Sequence, residues 1–286
     1  MTSKSVTMAN IFSEATPYIQ KFHGKTMVIK YGGNAMINEE LKKAVMNDLV
    51  TLTLLGVRVV LVHGGGPAIN EMLDVLGHES KFIDGLRYTD EETMDIVQQV
   101  LCGRVNKDLV ALLQGRGVGL CGMDGQMLRC TKKMTKDGKD LGYVGFIEEV
   151  NTLLINDLLD KGYIPVIASV GMGDDGTAYN INADTAAAEI AIALQAEKFV
   201  SMTDIAGLLM DKNDESTLIP TVEVGEVDAM IEKGVIAGGM IPKIKGMINT
   251  INQGVHEASI IDGRVLHSIL LEIFSDEGNG TMFYKK

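Results

Sequence analysis

Five apolar segments, separated by stretches of helical periodicity, constrain the fold of this chain most strongly. They lie at residues 26–31, 57–62, 163–170, 198–203 and 257–261. Most of them are apolar on both faces, which is typical of strands buried between two layers of helices. The pattern therefore predicts an α/β protein, a three-layer αβα sandwich with an open, mainly parallel sheet.

Helical periodicity predicts the elements between these strands. Helices are expected at residues 39–55, 68–76, 90–114, 151–161, 183–195, 226–233 and 240–254. Shorter strands are expected at residues 118–121, 127–134 and 142–148, the last two around the turn KDGKD. The sequence has no internal repeat and no composition break that marks a linker. A division into two lobes therefore falls inside one continuous fold, and we expect it near Gln195.

The charge balance and the cysteines exclude several classes of protein. The chain has 26 Lys and Arg against 38 Asp and Glu, a formal net charge of −12, which argues against a nucleic-acid groove. No apolar run reaches about 18 residues, so we expect no membrane span. The N-terminal segment has no apolar core of signal-peptide length, and the 3 cysteines form no CxxC pair and no even disulfide set. We therefore expect a cytoplasmic protein.

Two predicted strands end in glycine turns that suit a phosphate group. The first reads Lys30-Tyr-Gly32-Gly33, and the second reads His63-Gly-Gly-Gly66-Pro. Glycine lets backbone N–H groups approach an anion, and the N-terminus of the following helix favours negative charge. One such turn could be a simple tight turn without a ligand. Two turns in neighbouring strand–helix units, one of them preceded by a lysine, favour phosphate binding.

Other polar residues near predicted strand ends have an ordinary and a functional interpretation. Lys30 could extend its ammonium to water or direct it into the glycine-lined crevice, and Lys243, after a glycine pair, could be a surface lysine. Asn182 or Asp184 could be a helix N-cap, although three polar residues in five exceed what one cap requires. Arg87 could pair with the acidic first turn of its own helix or hold a carboxylate bidentately.

Two glycine patterns resemble a dinucleotide fingerprint without its context. GVGLCG, at residues 117–122, follows a predicted helix and enters a strand, which is the wrong order. GMGDDG, at residues 171–176, follows a strand, but its helix begins several residues late and its two aspartates would face the pyrophosphate. The sequence contains no Walker motif, no HExxH, no GxSxG and no Cys/His cluster with metal-ligand spacing. We therefore expect neither a nicotinamide cofactor nor a tightly bound metal.

Five motifs together resemble the amino acid kinase family in their order and spacing. They are VIKYGGNAM, VLVHGGGPAIN, DGLRYTD, YNINADTAAAEIA and GGMIPKI, and the resemblance covers residues 25–286. It implies an open αβα sandwich in which residues 24–195 bind an acylated amino acid and residues 196–286 bind the nucleotide. HGGGPAIN, GLRYTD and YNINAD are similar to the branch that phosphorylates the side-chain carboxylate of N-acetyl-L-glutamate in arginine biosynthesis. The resemblance also implies ATP with Mg²⁺ as the phosphoryl donor.

The resemblance implies a role for individual residues. Catalysis is expected from Lys30 and Lys243, which flank the transferring phosphoryl group, and from Asp184, which orients both ammonium groups. Gly32, Gly33 and Gly64 would bind phosphate through backbone N–H groups, and the substrate-binding residues would be Gly65, Gly66, Arg87 and Asn180. A rival hypothesis is a non-catalytic sensor of the same fold. Such a protein could lose Lys30, Lys243 or Asp184 without losing ligand binding, and because all three are present we favour the enzyme.

The two ends of the chain resemble members of the family that are inhibited by arginine. Residues 1–23 are predicted to contain an oligomerisation helix with an apolar stripe, which could pack on its own lobe or pair with the same helix of another subunit. The C-terminal segment, residues 267–283, resembles the arginine-site signature. By this resemblance Tyr18, Glu277 and Gly280 would bind L-arginine as an inhibitor, and the protein would form a hexameric homo-oligomer.

Overall fold

The computed structural model describes residues 3–211, 213–276 and 278–286 of the chain. The helices are α1 (Ser3–Phe22), α2 (Glu39–Leu54), α3 (Gly66–Val75), α4 (Glu91–Gln98), α5 (Asn106–Leu112), α6 (Leu153–Asp160), α7 (Ala183–Ala193), α8 (Val227–Glu232), α9 (Met240–Asn252) and α10 (Ser268–Phe274). A π-helix, Gln99–Val105, joins α4 to α5. Residues 1, 2, 212 and 277 lie outside the described ranges.

Fourteen strands are found in the described residues. They are β1 (Thr26–Tyr31), β2 (Arg58–His63), β3 (Phe82–Ile83), β4 (Leu86–Arg87), β5 (Gly117–Cys121), β6 (Leu128–Met134), β7 (Asp140–Val150), β8 (Ile164–Ala168), β9 (Val170–Met172), β10 (Ala178–Asn180), β11 (Lys198–Thr203), β12 (Thr221–Glu223), β13 (Glu257–Asp262) and β14 (Gly280–Tyr284). Eight of them form the main sheet in the order β12-β14-β13-β11-β1-β2-β8-β5. Every neighbouring pair is parallel except β13 with β14, which confirms the predicted mainly parallel sheet.

Strand alternation sends the side chains of β1 into two separate cores. Met27, Ile29 and Tyr31 are fully buried in the core on the side of α2 and α3. Val28 belongs to the opposite core, where α7 and α9 cover the sheet. Lys30 has the same parity as Val28, so its side chain starts out on the α7 side. The two cores confirm the predicted three-layer αβα architecture and decide which helix Lys30 meets.

The structure differs from the predicted elements mainly where elements are short. The predicted helix at residues 90–114 contains the π-helix, and the predicted strand at 163–170 divides into β8 and β9. Sequence periodicity did not predict β3, β4, β10, β12, α10 or β14, because segments of two to seven residues carry too few positions to show a period. A smaller four-stranded group of β6, β7, β9 and β10 lies beside the main sheet and positions Asn180 through β10.

None of the helices in the described part of the chain is long and apolar enough to cross a membrane. Cys102, Cys121 and Cys130 are free thiols.

Candidate active site

Lys30 and Asp184 form an ion pair where the carboxyl end of β1 faces the first turn of α7. The Lys30 Nζ atom lies 3.3 Å from the Asp184 Oδ1 atom. Lys30 is only 8% exposed, so its ammonium group is not the solvated end of a strand-terminal lysine. Asp184 is the second residue of α7, where the helix dipole favours a carboxylate. The structure therefore brings together two residues that lie 154 positions apart along the chain.

The charges around this pair shift two pKa values. Burial by itself raises the pKa of the Asp184 carboxyl, but the ammonium groups of Lys30 and Lys243 outweigh burial and leave that pKa below its usual range. Burial lowers the pKa of Lys243, an effect that Lys30 reinforces and that the carboxylates of Asp184 and Asp204 oppose. Lys30, Asp184 and Lys243 therefore form one charged cluster, whose two ammonium groups are available to pair with an anionic ligand.

Ser201 completes the cluster and was not predicted from the sequence. Its Oγ donates a hydrogen bond of 3.1 Å to Asp184 Oδ1, and the residue is fully buried. Ser201 pairs with Lys30 in the register of β11 and β1, which puts both side chains on the α7 side of the sheet. A serine inside the apolar strand at residues 198–203 is the only sequence signal that could have indicated it.

The first glycine turn lets two charged side chains approach the backbone. A Cβ atom on Gly32 would lie 3.3 Å from the Lys30 Nζ. Gly33 has a φ of +75°, and a Cβ there would lie 2.8 Å from the Asp204 Oδ2. Glycine at these two positions therefore leaves room for the two charged side chains, and at Gly33 it also meets a backbone conformation that other residues rarely adopt.

In the second glycine turn, the available N–H groups belong to Gly65 and Gly66. The Gly64 N–H donates to the Tyr31 carbonyl oxygen at 3.3 Å, so its predicted role as a phosphate donor conflicts with a backbone hydrogen bond. Among the described residues, the N–H groups of Gly65 and Gly66 meet no acceptor. They open α3, with Pro67 in its first turn, and such N–H groups have no acceptor inside the helix. This end of α3 is therefore suited to an anion.

Arg87 lies in a cavity of about 340 Å³ that Lys30 and both glycine turns also line. Its guanidinium donates to the Asn70 Oδ1 at 2.7 Å and to the Ser80 Oγ at 2.9 Å. The Phe82 ring lies against it, 4.8 Å from the guanidinium carbon to the ring centroid. Burial lowers the pKa of Arg87. Its side-chain partners in the described residues are neutral, so the guanidinium can still pair with a carboxylate ligand.

Asn70 and Ser80 orient Arg87 and were missed by the sequence interpretation. Asn70 belongs to the motif HGGGPAIN and follows Gly66 by one helical turn, which was a signal that it lies on the same face of α3 as Gly66. Ser80 lies in a loop, and no pattern singles it out. Both are hydrogen-bonded to each other at 3.0 Å as well as to Arg87. This small network holds the guanidinium in one orientation.

The segment at residues 179–184 divides into a cap and two cavity residues. Asn182 is the N-cap of α7, and its Oδ1 accepts a 3.1 Å hydrogen bond from the Thr185 N–H. Asn180 lines the same cavity as Arg87, and its Nδ2 donates to the Thr89 Oγ1 at 3.1 Å. The ordinary capping role therefore belongs to Asn182, whereas Asn180 and Asp184 are available to a ligand.

Two more cavities are lined in part by residues of α9. One of about 450 Å³ is lined by Asp184 and by Lys243, which lies in the first turn of α9. Another of about 880 Å³ is lined by residues 204–211 and Met240 of the same helix. Asp184 lines both the cavity with Lys243 and the cavity with Lys30 and Arg87. Asp204, which lines the cavity of about 880 Å³, lies close to Gly33 beside Lys30. In the described residues, no three His, Cys, Asp or Glu side chains form a group that could hold a metal ion.

A separate cavity of about 190 Å³ lies between α1 and α10 and contains Tyr18. The Tyr18 hydroxyl donates to the Asp276 Oδ1, and its ring meets Phe274 edge-on with centroids 6.5 Å apart. Lys198, which is 2% exposed, pairs there with Glu257 at 3.3 Å and with Glu272 at 3.0 Å. These charged residues were not predicted to lie near Tyr18.

The other two predicted arginine-site residues are not placed in this cavity by the structure. Glu277 lies outside the described residues. Gly280 does not line the cavity but belongs to β14, where a Cβ would lie 1.9 Å from the Ile260 carbonyl oxygen. Glycine at this position is therefore explained by the close approach of β13 to β14.

Comparisons with known proteins agree with this architecture. An acetylglutamate kinase of Actinobacillus pleuropneumoniae serotype 7 is 58% identical over 278 residues, 97% of each chain, and one of Moorella thermoacetica is 52% identical over 292 residues, 99% of each chain. The solved N-acetylglutamate synthase of Neisseria gonorrhoeae superposes with a TM-score of 0.86 at 30% identity. That match covers 97% of this chain and 63% of the synthase, so this chain spans less than two thirds of that protein.

A more distant structure, carbamate kinase of Giardia lamblia, shares the fold with a TM-score of 0.67 at 16% identity, covering 92% of this chain and 99% of that one. Residues 25–262 match the amino acid kinase family as a whole. With relatives of at least 50% identity along nearly the full chain, this protein belongs to the amino acid kinase family.

Proposed function

We propose that this protein transfers the γ-phosphoryl group of ATP to the side-chain carboxylate of N-acetyl-L-glutamate, a step of arginine biosynthesis. The observation that carries the proposal is the Lys30–Asp184–Lys243 cluster: Lys30 and Asp184 line the cavity with Arg87, and Lys243 is within electrostatic reach of Asp204, which lines the cavity along residues 204–211. Curated relatives named acetylglutamate kinase support it, as does the solved synthase, which is complexed with N-acetyl-glutamate. Such a biosynthetic role fits the cytoplasmic location that we propose.

The chemistry of this reaction matches the residues of the site. A glutamate side chain has a pKa of about 4.3, so the acceptor is already ionised at neutral pH and needs no general base. Phosphoryl transfer spreads negative charge over the transferring group, and catalysis comes mostly from positioning and cations. Lys30 and Lys243 supply these cations, and Asp184 keeps them together. Mg²⁺ belongs to the substrate complex MgATP, in which phosphates and water are its main ligands.

The two substrates are assigned to opposite sides of the cluster. Residues 24–195 contribute the cavity with Arg87 and Asn180, which we assign to the α-carboxylate and neighbouring groups of N-acetyl-L-glutamate. Residues 196–286 contribute the cavity along residues 204–211, which we assign to the nucleotide. The N–H groups of Gly65 and Gly66, with the first glycine turn, are placed to stabilise the transferring phosphoryl group from the acceptor side.

A substrate panel tests this proposal directly. ATP consumption is measured with N-acetylglutamate, glutamate, aspartate, carbamate and UMP as acceptors at equal concentrations. We expect turnover with N-acetylglutamate far above that with any other acceptor. Preference for one of the other four acceptors would assign the chain to a different activity within the family. ATP that stays intact with every acceptor would favour the non-catalytic sensor.

We also propose that L-arginine inhibits this enzyme from the cavity that contains Tyr18. Two lysines there, Lys21 and Lys198, pair with the carboxylates of Glu257 and Glu272, and Asp276 also lines the cavity. A cavity with clustered charges of both signs suits an amino acid whose guanidinium pairs with carboxylates and whose carboxylate pairs with lysine. The solved Neisseria synthase complexed with L-arginine, which superposes with a TM-score of 0.83 at 29% identity, supports this assignment.

The N-terminal helix supports a hexamer as part of the same proposal. Tyr18 and Phe22 pack the C-terminal end of α1 against its own chain, whereas Ile11 and Phe12, nearer the N-terminus of the helix, are 55% and 60% exposed. An exposed apolar stretch on a helix that is anchored at its other end fits pairing with the same helix of a second subunit. One helix would then link arginine binding to oligomeric assembly.

The regulatory proposal is tested separately from catalysis. We expect arginine to raise the apparent KM for N-acetylglutamate, and deletion of residues 1–22 to abolish both inhibition and the hexamer seen by light scattering. Glu272→Gln should weaken inhibition in an enzyme that still assembles. A dimeric full-length enzyme that is indifferent to millimolar arginine would contradict the regulation while leaving the kinase proposal intact.

A further inference from the structure

His63 is a fully buried histidine at the end of β2, directly before the second glycine turn. The proposed phosphoryl transfer assigns no role to it. Its Nδ1 lies 2.9 Å from the Gly64 carbonyl oxygen, and its Nε2 lies 3.0 Å from the Asn106 Nδ2. Asn106 is itself fully buried and follows the π-helix. Both ring nitrogens are therefore engaged, one with the glycine turn and one with a side chain on α5.

The neighbours of Asn106 determine which way its amide is turned. On one side, its Nδ2 donates to the Val166 carbonyl oxygen at 2.8 Å and lies 3.3 Å from the Leu120 carbonyl oxygen. On the other side, its Oδ1 accepts from the Lys107 ammonium at 3.0 Å. The opposite orientation would place the amide oxygen against two carbonyls and the NH₂ group against an ammonium. The Nδ2 therefore faces His63 as a donor.

This amide orientation decides the tautomer of His63. Because Asn106 donates, the His63 Nε2 must accept, so the ring proton lies on Nδ1 and is donated to the Gly64 carbonyl oxygen. Burial lowers the pKa of His63 to about 4, so the ring stays neutral around pH 7. With both nitrogens committed, His63 is not available as a general base for a substrate.

The hydrogen bond to the Gly64 carbonyl orients the next N–H group. The peptide between Gly64 and Gly65 is planar and trans, so its N–H points away from its C=O. The C=O is directed to His63, and the N–H of Gly65 is then directed to the far side. Gly65 lines the cavity shared by Lys30 and Arg87.

We propose that His63, oriented by Asn106, is a positioning residue that directs the Gly65 N–H at the transferring phosphoryl group. The inference rests on the proposed kinase function and adds a residue to its machinery. A preorganised N–H donor stabilises charge that develops in the transition state without reorienting at the moment of reaction. His63 itself does not touch the substrate.

The glycine pattern GVGLCG, which has no part in the proposed phosphate site, contains Gly119 next to Asn106. A Cβ on Gly119 would lie 2.0 Å from the Asn106 Oδ1 and 2.4 Å from the Lys107 Nζ. Glycine in GVGLCG therefore makes room for the two side chains that orient His63. Gly119→Ala should displace the Asn106 amide and lower turnover, although Gly119 is not part of the proposed phosphate site.

Two substitutions of His63 distinguish the contribution of its Nδ1 hydrogen bond from that of its Nε2 hydrogen bond. The amide of Asn reaches about as far as the histidine Nδ1, whereas the amide of Gln reaches about as far as Nε2. His63→Asn should therefore keep a donor for Gly64, and His63→Gln should keep only the contact with Asn106. We expect His63→Gln to lower kcat by about 10- to 100-fold, somewhat less than removal of a donor, with little change in the KM for ATP. His63→Asn should keep much more of the turnover.

Stability and tautomer are measured beside the kinetics. Thermal unfolding of each variant sets an assay temperature at which all of them are folded. In the wild-type protein, ¹⁵N NMR of labelled histidine should show a neutral ring with its proton on Nδ1 between pH 6 and pH 8, assigned by loss of the signal in His63→Asn. A proton on Nε2, or equal losses of kcat in the Asn and Gln variants, would overturn the role of His63. Wild-type protein that shows this tautomer but no phosphorylation of N-acetylglutamate would overturn the proposed function instead.

Discussion

The Lys30 ammonium lies 3.3 Å from the Asp184 carboxylate, and this contact joins the carboxyl end of β1 to the first turn of α7. Ser201 of the neighbouring strand donates to the same carboxylate oxygen. Lys243 approaches from α9 without an ion pair to Asp184 within 4.0 Å, although the two charges shift each other's pKa. Asp184 therefore pairs directly with Lys30, whereas Asp184 and Asp204 act on Lys243 at longer range.

Removal of either lysine should reduce catalysis rather than substrate binding. Each cation matters most when negative charge spreads over the transferring group, so Lys30→Ala or Lys243→Ala should lower kcat by about 100-fold or more, with a much smaller rise in KM. Steady-state kinetics with both substrates varied provides the measurement. Lys161→Ala, at an exposed position after α6, serves as the control. Near-normal turnover of either site variant would remove that lysine from the catalytic group.

Replacement of Arg87 should change the affinity for only one substrate. Arg87→Lys should raise the KM for N-acetylglutamate and leave the KM for ATP nearly unchanged, because an ammonium cannot reproduce a bidentate fork. Asn70→Ala should act in the same direction with a smaller effect, since it frees the guanidinium without removing it. If the KM for ATP rises in parallel, Arg87 contacts the nucleotide and the assignment of the two lobes is wrong.

The lowered pKa of Lys243 predicts the alkaline limb of the pH profile. A lysine whose pKa is below its ordinary value loses its proton at a lower pH, so as the pH rises kcat/KM should begin to fall earlier than the titration of an ordinary lysine would predict. Arginine keeps its charge, so Lys243→Arg should move that limb to higher pH even if its overall rate is lower. An alkaline limb that is identical in both enzymes would assign the titration to another group.

Substitutions at two glycines with nearly the same φ distinguish backbone strain from an effect on catalysis. Gly24 and Gly33 have φ values of +74° and +75°, but a Cβ would meet nothing within 4 Å at Gly24 and would lie 2.8 Å from the Asp204 Oδ2 at Gly33. Gly24→Ala should therefore cost about 1–2 kcal/mol of stability and leave kcat unchanged. Gly33→Ala should cost at least as much and also lower kcat. Thermal unfolding and kinetics of both variants test this, and equal effects on kcat would show that the first glycine turn has no special role.

The sequence predicted the central strands better than the outer elements. Residues 26–31 and 198–203 were predicted with the observed bounds, because a strand buried on both faces leaves a continuous apolar run. β12 and β14 were not predicted, because their stability depends on pairing with each other and with β13 rather than on their own pattern. The interrupted helix at residues 99–105 was also missed, because a π-helix leaves the apolar periodicity almost unchanged.

For the candidate site, the sequence by itself determined the residue types at the strand ends. A lysine in an apolar strand, two glycine turns and an arginine before a helix are local features, and local patterns suffice to recognise them. Tertiary structure alone decided their partners: Ser201 for Asp184, Asn70 for Arg87, Tyr31 for the Gly64 N–H and Asn106 for His63. His63 and Asn106 are 43 residues apart, and the tautomer of one depends on the amide of the other. Such relations arise only when strand register and helix packing bring distant polar groups into a buried space, where each donor needs an acceptor.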